Sequence, residues 1–509
     1  MPRPPVAFAV IGALIAVKLA LHFGTNAFGP YEFHRDEFLY MAMGEHLRLF
    51  RMDFPPFIAM LSELARGLLG DSVFAVRFFP ALFGAGLMAL AALIARELGG
   101  GRFAQGVAAL CVLCSPLFMR SATLFQPVVL DQFWWTLGLY ALVRWSRKPE
   151  PRWWLVFGAA CGLGLLSKYS MLIFGLAVLL ALAVTPARRA LKTPWPWIAA
   201  ATAFVIGSPS ILGQIRLGFP IFDQMGDLRS AQLARVTPLE FLTEHLLWNP
   251  ATGILLFVGL AALVGSKRFR PFGLAGWSCL WALILLVVLR GKPYYAGPVH
   301  PTLFAAGAVV LEAVRIPRWG TVLRWGAATA VVAWGILILP LGFPVLPPGR
   351  MEAYVTALGV EGARTTNVGA VERLPQDYAD MLGWEEFVES VAGAHRALPP
   401  EEREQAAILA SNYGEAGAID FYGPRHGLPG AVSVVGTYWF FGPGEKPGDP
   451  TILVGFKRDE IGDFFTTLDS AAYWTHPYMV REQRDLTHFV GRGPRQTLQQ
   501  LWPRFEGTQ

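Results

Sequence analysis

Charge is scarce in this chain. Asp, Glu, Lys and Arg make up 16% of its 509 residues, well under the roughly 25% usual in soluble proteins, while 54% of the residues are hydrophobic and come in blocks. That excludes an ordinary soluble domain. Cysteine is scarcer still. The four present (Cys111, Cys114, Cys161, Cys279) all fall inside apolar segments, which excludes a disulfide framework. Cys111 and Cys114 have redox-motif spacing but no strand–helix unit around them, so all four read as small buried side chains. A cleavable signal peptide is also not expected: the first apolar block is too long for a signal core, carries Lys18, and is followed by no convincing cleavage site. The net charge of +6 does not point to nucleic acid, because Lys and Arg collect in short loops between apolar blocks.

What the chain has in quantity is apolar sequence of membrane length. Blocks near the roughly 20 residues that cross a bilayer predict about eleven spans, at 6–23, 73–95, 103–119, 126–144, 153–167, 169–184, 197–213, 245–264, 274–290, 299–314 and 321–341. Alternate connections carry basic clusters: Arg96/Arg102, Arg144/Arg147/Lys148/Arg152, Arg188/Arg189/Lys192, Lys267/Arg268/Arg270 and Arg315/Arg318/Arg324. The positive-inside rule places these loops and the N-terminus in the cytoplasm, and an odd span count sends the C-terminus across the plasma (inner) membrane. Residues 1–343 thus form a transmembrane module with long outer loops at 24–72, holding two surface helices, and 214–244.

After Pro340 the composition changes. Pro344–Gly349 reads as a linker and 344–509 as a soluble periplasmic or extracellular α/β domain. Ala406–Ala410 and Thr451–Phe456 read as strands; 385–396, 414–422 and 458–466 read as helical. Asn412-Tyr-Gly-Glu-Ala-Gly417 lies where a strand hands over to a helix, a position that can bind anions, although a tight structural turn explains its glycines better.

The unusual residues sit on the outer side. His34-Arg35-Asp36-Glu37 stand in a row just after the first span, Asp131 just inside the fourth, Lys168 in an outer hairpin, Lys292, Tyr294 and Tyr295 after the ninth, and His300 at the start of the tenth. Each has a plain explanation alone: a snorkelling lysine, interfacial tyrosines, a carboxylate capping a helix. Together, at one depth, they suit transfer from a phosphate-linked lipid. A carboxylate deprotonates the acceptor hydroxyl, a lysine with phenolic donors holds the departing phosphate, and direct displacement with inversion is the economical route.

His34-Arg-Asp-Glu-Phe-Leu-Tyr40, Gly44-Glu-His-Leu47, Asp53-Phe-Pro-Pro56, Gly164-Leu-Leu-Ser-Lys-Tyr169 and Gly291-Lys-Pro-Tyr-Tyr295 resemble the bacterial protein-mannosyltransferase-like family of C-type glycosyltransferases (glycosyltransferase family 39). The lipid A aminoarabinose transferases are more distant relatives. Asn412-Tyr-Gly-Glu-Ala and Gly491-Arg-Gly-Pro494 resemble the C-terminal extension of bacterial members. The resemblance implies the C-type fold, a polyprenyl-phosphate sugar donor and an active site on the outer face. It implies a catalytic base at Asp36 with Glu37 beside it, a second acidic position at Asp131, and donor-phosphate contacts from Lys292, Tyr294 and Tyr295. It implies no required cofactor or cation, although His34, Asp36 and Glu37 could hold one. It leaves open the acceptor, whether glycan, lipid or protein. Two rivals stand beside this reading: a transporter or flippase-like protein of cell-envelope glycan assembly, against which the absence of internal repeats weighs, and a non-catalytic assembly subunit.

Overall fold

The computed structural model describes residues 3–247, 250–359, 361–367 and 369–506. A helix lies over every expected apolar block: α1 (Phe8–Phe28), then, after α2 (Arg35–Glu45) and α3 (Phe57–Leu69) of the first outer loop, α4 (Phe78–Glu97), α5 (Arg102–Leu113) with the short α6 (Pro116–Ser121), α7 (Pro127–Arg147), α8 (Arg152–Leu165), α9 (Met171–Val184) and α10 (Trp195–Arg216). The second outer loop is itself helical, as α11 (Ile221–Ala231) and α12 (Pro238–Leu247). The bundle closes with α13 (Pro250–Gly265), α14 (Gly273–Val288), α15 (His300–Ala313) and α16 (Gly320–Leu337). Among the described residues five helical stretches are long and apolar enough to cross a bilayer, or seven if two bent pairs each count as one span. Others, such as the 12-residue α5 and the 14-residue α8, are short for a straight crossing. The chain is a multi-pass membrane protein.

Polar side chains in these helices face one another rather than lipid, as the cost of an unpaired charge in hydrocarbon requires. Lys18 of α1 donates to the Phe118 carbonyl at 3.1 Å. At the opposite end of the bundle Glu97, out of solvent, accepts from Arg3 at 2.6 Å and Arg144 at 2.8 Å, so part of the basic cluster is a structural knot. All four cysteines are buried thiols. In the outer loop, α3 buries Ile58, Ala59, Leu61 and Ala65 on one side and exposes Met60, Leu64 and Leu68 on the other, the pattern of a helix lying in the membrane interface.

The chain leaves the bundle through an irregular stretch at 343–347 and enters α17 (Pro348–Leu358) and α18 (Trp384–Arg396). The strands that follow form one five-stranded sheet, in the order β2 (Ala431–Ser433), β1 (Ala407–Ala410), β3 (Thr451–Val454), β5 (Leu486–Pro494), β4 (Phe465–Trp474). β1 pairs parallel with β2 and β3, whereas β5 pairs antiparallel with β3 and β4. β3 is buried along its whole length, as a strand covered on both faces should be. α19 (Tyr413–Tyr422) connects β1 to β2. The expected helix at 458–466 is cut short: α-helix ends at Ile461, and Phe465 and Thr467 pair with Pro494 and Arg492 of β5, where β-branched threonines favour a strand.

The C-terminal domain is not a freely tethered module. Glu32, from the first outer loop, accepts from the backbone N–H groups of Gly383, Trp384 and Glu385 at 3.1–3.2 Å. A carboxylate at a helix N-terminus satisfies donors that the helix itself leaves unpaired. The Glu32 N–H in turn donates to the Met381 carbonyl at 2.9 Å.

Candidate active site

Local sequence decides how the four residues after the first span divide. His34 is the N-cap of α2: its Nδ1 accepts from the Asp36 N–H at 3.1 Å, and Glu37 reaches back to accept from the His34 N–H at 2.6 Å. This is a capping box with His in the usual Ser/Thr place. The third helical position therefore turns Glu37 inward and leaves Asp36, at the second, pointing out of the helix end.

Asp36 opens on a cavity of about 790 Å³ lined also by His34, Arg35, Arg120, Gln126, Lys168, Lys292, Tyr294, Tyr295, Asn367, Asp377 and Tyr413. Its Oδ1 accepts from the Tyr413 hydroxyl and its Oδ2 from the Gln126 amide, both at 2.9 Å. An ionised carboxylate has about four acceptor directions, so each oxygen keeps one for a substrate.

The cationic side comes from two turns. Lys168 follows α8, where Gly164 leaves room for the Met171 side chain; its ammonium lies 4.6 Å from the Tyr295 ring centre and 5.7 Å from that of Tyr294. Lys292 follows α14 and donates to Asn367 Oδ1 at 2.8 Å and to Gln232. Burial, and then the neighbouring charge of Lys168, bring its pKa down to about 8. Among the described residues neither lysine makes an ion pair with a carboxylate, although Lys168 lies near enough to Asp131 to interact with it electrostatically, and Lys292 keeps one of its three donors beyond Asn367 and Gln232.

Between base and cations runs a charged strip from the C-terminal domain. Arg120 donates to Asp377 at 2.6 Å and lies 4.4 Å over the Tyr378 ring. His34 Nε2 is 3.8 Å from Asp377 and 3.7 Å from Asp380, and Arg35 is 3.5 Å from Asp380. Burial opposes charge on Asp377, but Arg120 and His34 outweigh it and hold the carboxyl well below the usual range. Burial likewise opposes protonation of His34, and Asp36, Asp377 and Asp380 overcome it and raise its pKa.

Three expected site residues are placed elsewhere. Glu37 does not line the cavity; it is fully buried, accepting from Arg77 at 2.8 and 2.6 Å and from the Phe125 N–H at 2.7 Å. That also removes it from any cation site with His34 and Asp36, and among the described residues no three His, Cys, Asp or Glu side chains are arranged to hold a metal ion. Asp131 is buried away from the cavity, accepting from Ser170 at 2.7 Å, which ties α7 to the start of α9. His300 packs edge-on to His245, ring centres 5.1 Å apart, beside a separate cavity of about 200 Å³. Conversely, Arg120, Gln126, Asn367, Asp377 and Tyr413 line the cavity, and none of them had been given a role in the site. The spacing His34-x-x-Glu37 was the one local signal that would have separated Glu37 from Asp36.

Residues 53–212 match the family described as dolichyl-phosphate-mannose-protein mannosyltransferase. The lipopolysaccharide core galacturonosyltransferase RgtB of Rhizobium johnstonii is 25% identical over 346 residues, 63% of this chain. The chain spans 61% of the length of that curated relative. Among solved structures, ArnT from Cupriavidus metallidurans in the apo state superimposes with a TM-score of 0.63 at 17% identity, over 96% of this chain and 100% of that one. The same protein bound to undecaprenyl phosphate gives 0.61 over the same shares, also at 17% identity. The Archaeoglobus fulgidus oligosaccharyltransferase with a tethered acceptor peptide gives 0.51 at 14% identity, over 82% of this chain and 63% of that one. At these identities the structural likeness is one of fold: that of the C-type membrane glycosyltransferases. The resemblance read from the motifs is borne out.

Proposed function

We propose, for a chain with this fold and with a match to the mannosyltransferase family over residues 53–212, that it is an inverting glycosyltransferase of the plasma (inner) membrane. It moves a sugar from a polyprenyl phosphate to an acceptor hydroxyl on the outer face. The observation that carries this reading is one cavity with an exposed carboxylate, Asp36, and two lysines, Lys168 and Lys292, flanked by Tyr294 and Tyr295. Asp36 takes the acceptor proton as the acceptor oxygen attacks the anomeric carbon. The bond from that carbon to the phosphate oxygen breaks, and the lysines meet the charge the phosphate gains. In this reading Lys168 and Lys292 supply the positive charge, so no resident cation is required.

The matched family, RgtB and the Archaeoglobus fulgidus protein are sugar transferases by name, which does not favour a transporter or flippase. The bound undecaprenyl phosphate of ArnT supports a lipid of that chemistry as the donor's carrier. We further propose eleven crossings, the shorter helices completing their spans with the turns beside them, with the N-terminus cytoplasmic and the C-terminal domain outside. The test is to incubate the purified protein with undecaprenyl phosphates carrying different sugars and candidate acceptors, following lipid and product by mass spectrometry. Wild-type protein should release undecaprenyl phosphate and glycosylate an acceptor. Asp36→Asn should bind the lipid but transfer at least about a hundredfold more slowly, the lower end of general-base contributions. Near-normal transfer by Asp36→Asn would overturn the assignment of the base.

A further inference from the structure

The Asn412–Gly417 segment, whose glycines suggested an anion-binding turn, does something else in the fold. Gly414 and Gly417, three residues apart in α19, both face α2. A Cβ on Gly414 would come 2.5 Å from Arg35 Cγ, and one on Gly417 would come 2.7 Å from Phe38 Cβ and 3.0 Å from the Phe38 carbonyl carbon. Neither glycine has a positive φ, so both are there for space rather than for backbone freedom. They let α19 lie against α2 more closely than any other residue would allow.

The start of α19 is fixed as well. Asn412 Oδ1 accepts from the N–H groups of Gly414 and Glu415 at 2.9 and 3.1 Å, an N-cap that sets the direction of the first turn. Tyr413, in that turn, is thereby aimed at the N-terminal end of α2, and its hydroxyl donates to Asp36 Oδ1 at 2.9 Å. With Gln126 on the other oxygen, the plane of the Asp36 carboxylate is fixed from two directions, one from the membrane bundle and one from the C-terminal domain.

We propose that Tyr413 is a positioning residue for Asp36, and that the glycine contact between α19 and α2 is the joint through which the C-terminal domain completes the active site. The proposal rests on Asp36 being the general base. A phenol donating to the carboxylate holds it in one rotamer, facing the cavity. The other charged and titratable groups around Asp36 are His34, Arg35 and Tyr40 from α2, Asp380 from the C-terminal domain, and Lys292 from the turn after α14.

The test compares full-length wild-type protein, Tyr413→Phe and Asp36→Asn, using the undecaprenyl-phosphate sugar found active and undecaprenyl phosphate itself as binding probe. Tyr413→Phe is expected to lower kcat about tenfold, the scale of one hydrogen bond to a charged group, with the KM for the lipid donor and the affinity for undecaprenyl phosphate unchanged. Wild-type kcat in Tyr413→Phe, with Asp36→Asn inactive, would overturn the positioning role and leave the base standing. A fall in kcat matched by loss of folded protein, or by a comparable rise in the KM for the lipid donor, would overturn it too. An active Asp36→Asn would instead remove the reading on which the proposal rests.

Discussion

Arg77 and Glu37 are joined by two hydrogen bonds, of 2.8 and 2.6 Å, where water does not reach: the side chains are 1% and 0% exposed. This pair holds the first outer loop to the start of the helix that follows it, and it separates two adjacent carboxylates. Asp36 is left to the cavity; Glu37 is spent on the scaffold.

Removing one partner of a buried ion pair strands the other, at a cost of about 3–5 kcal/mol. Glu37→Gln should therefore lower the apparent Tm of the purified protein substantially, while Asp36→Asn, at a half-open position, should change it little. A Glu37→Gln protein as stable as wild type but inactive would move Glu37 from the scaffold into the chemistry.

Lys292 titrates at about 8, so its charge is present below that pH and lost above it. Affinity for undecaprenyl phosphate is expected to fall as pH rises through about 8, with proton uptake on binding in that range, since the bound anion raises the lysine's pKa. Lys292→Ala should abolish this dependence and slow transfer by roughly 10²–10³, the scale of a lost oxyanion contact. Isothermal titration at several pH values checks the first outcome, and steady-state kinetics the second.

Two buried carboxyls lie in or against the C-terminal domain: Glu415 within it, accepting from the Ser411 hydroxyl at 3.0 Å, and Asp53 at its contact with the loops of the bundle. Asp53 accepts from Thr437 at 2.7 Å and Gln224 at 3.1 Å, and burial lifts its pKa to about 6. Glu415, in α19, is lifted by burial to about 7. Both folded-state values lie above the unfolded ones, so between about pH 4 and 7 the folded protein binds more protons and loses stability as pH rises. Their contribution is full below about pH 4 and gone above about pH 7. The Tm should fall across this window, and Asp53→Asn with Glu415→Gln should flatten the fall. A Tm that is level in wild type, or falls equally in the double variant, would contradict this.

Orientation is testable with single cysteines, because the native ones are all buried. Cysteines at Lys148 and Lys267 should be protected from an impermeant reagent added outside intact cells, and one at Arg425 should be labelled. These three positions are exposed. Outside labelling at Lys148 would overturn the orientation and the outer-face site with it.

Apolar blocks are local and long, so the helices of the bundle were legible in the sequence, as were α18, α19 and two of the five strands. Depth in the membrane was legible too: Asp36, Lys168, Lys292, Tyr294 and Tyr295 do share a cavity. Position around a helix was not. Asp131 and His300 lie near helix starts on the outer side but face other neighbours, because span ends report height and say nothing of which side of the helix meets the cavity. The contribution of the C-terminal domain was legible nowhere. Asp36 and Tyr413 are 377 residues apart, and nothing near either residue encodes the other.

That separation sets an order of events during synthesis. Every helix of the bundle emerges before Asn367, Asp377 and Tyr413 do, so a chain whose helices have already entered the bilayer still has its cavity unroofed and one oxygen of Asp36 without its phenol. The last third of the chain then has to dock on the bundle before that cavity is complete. A nascent chain that has made all its bundle helices is therefore still short of three residues that line the cavity.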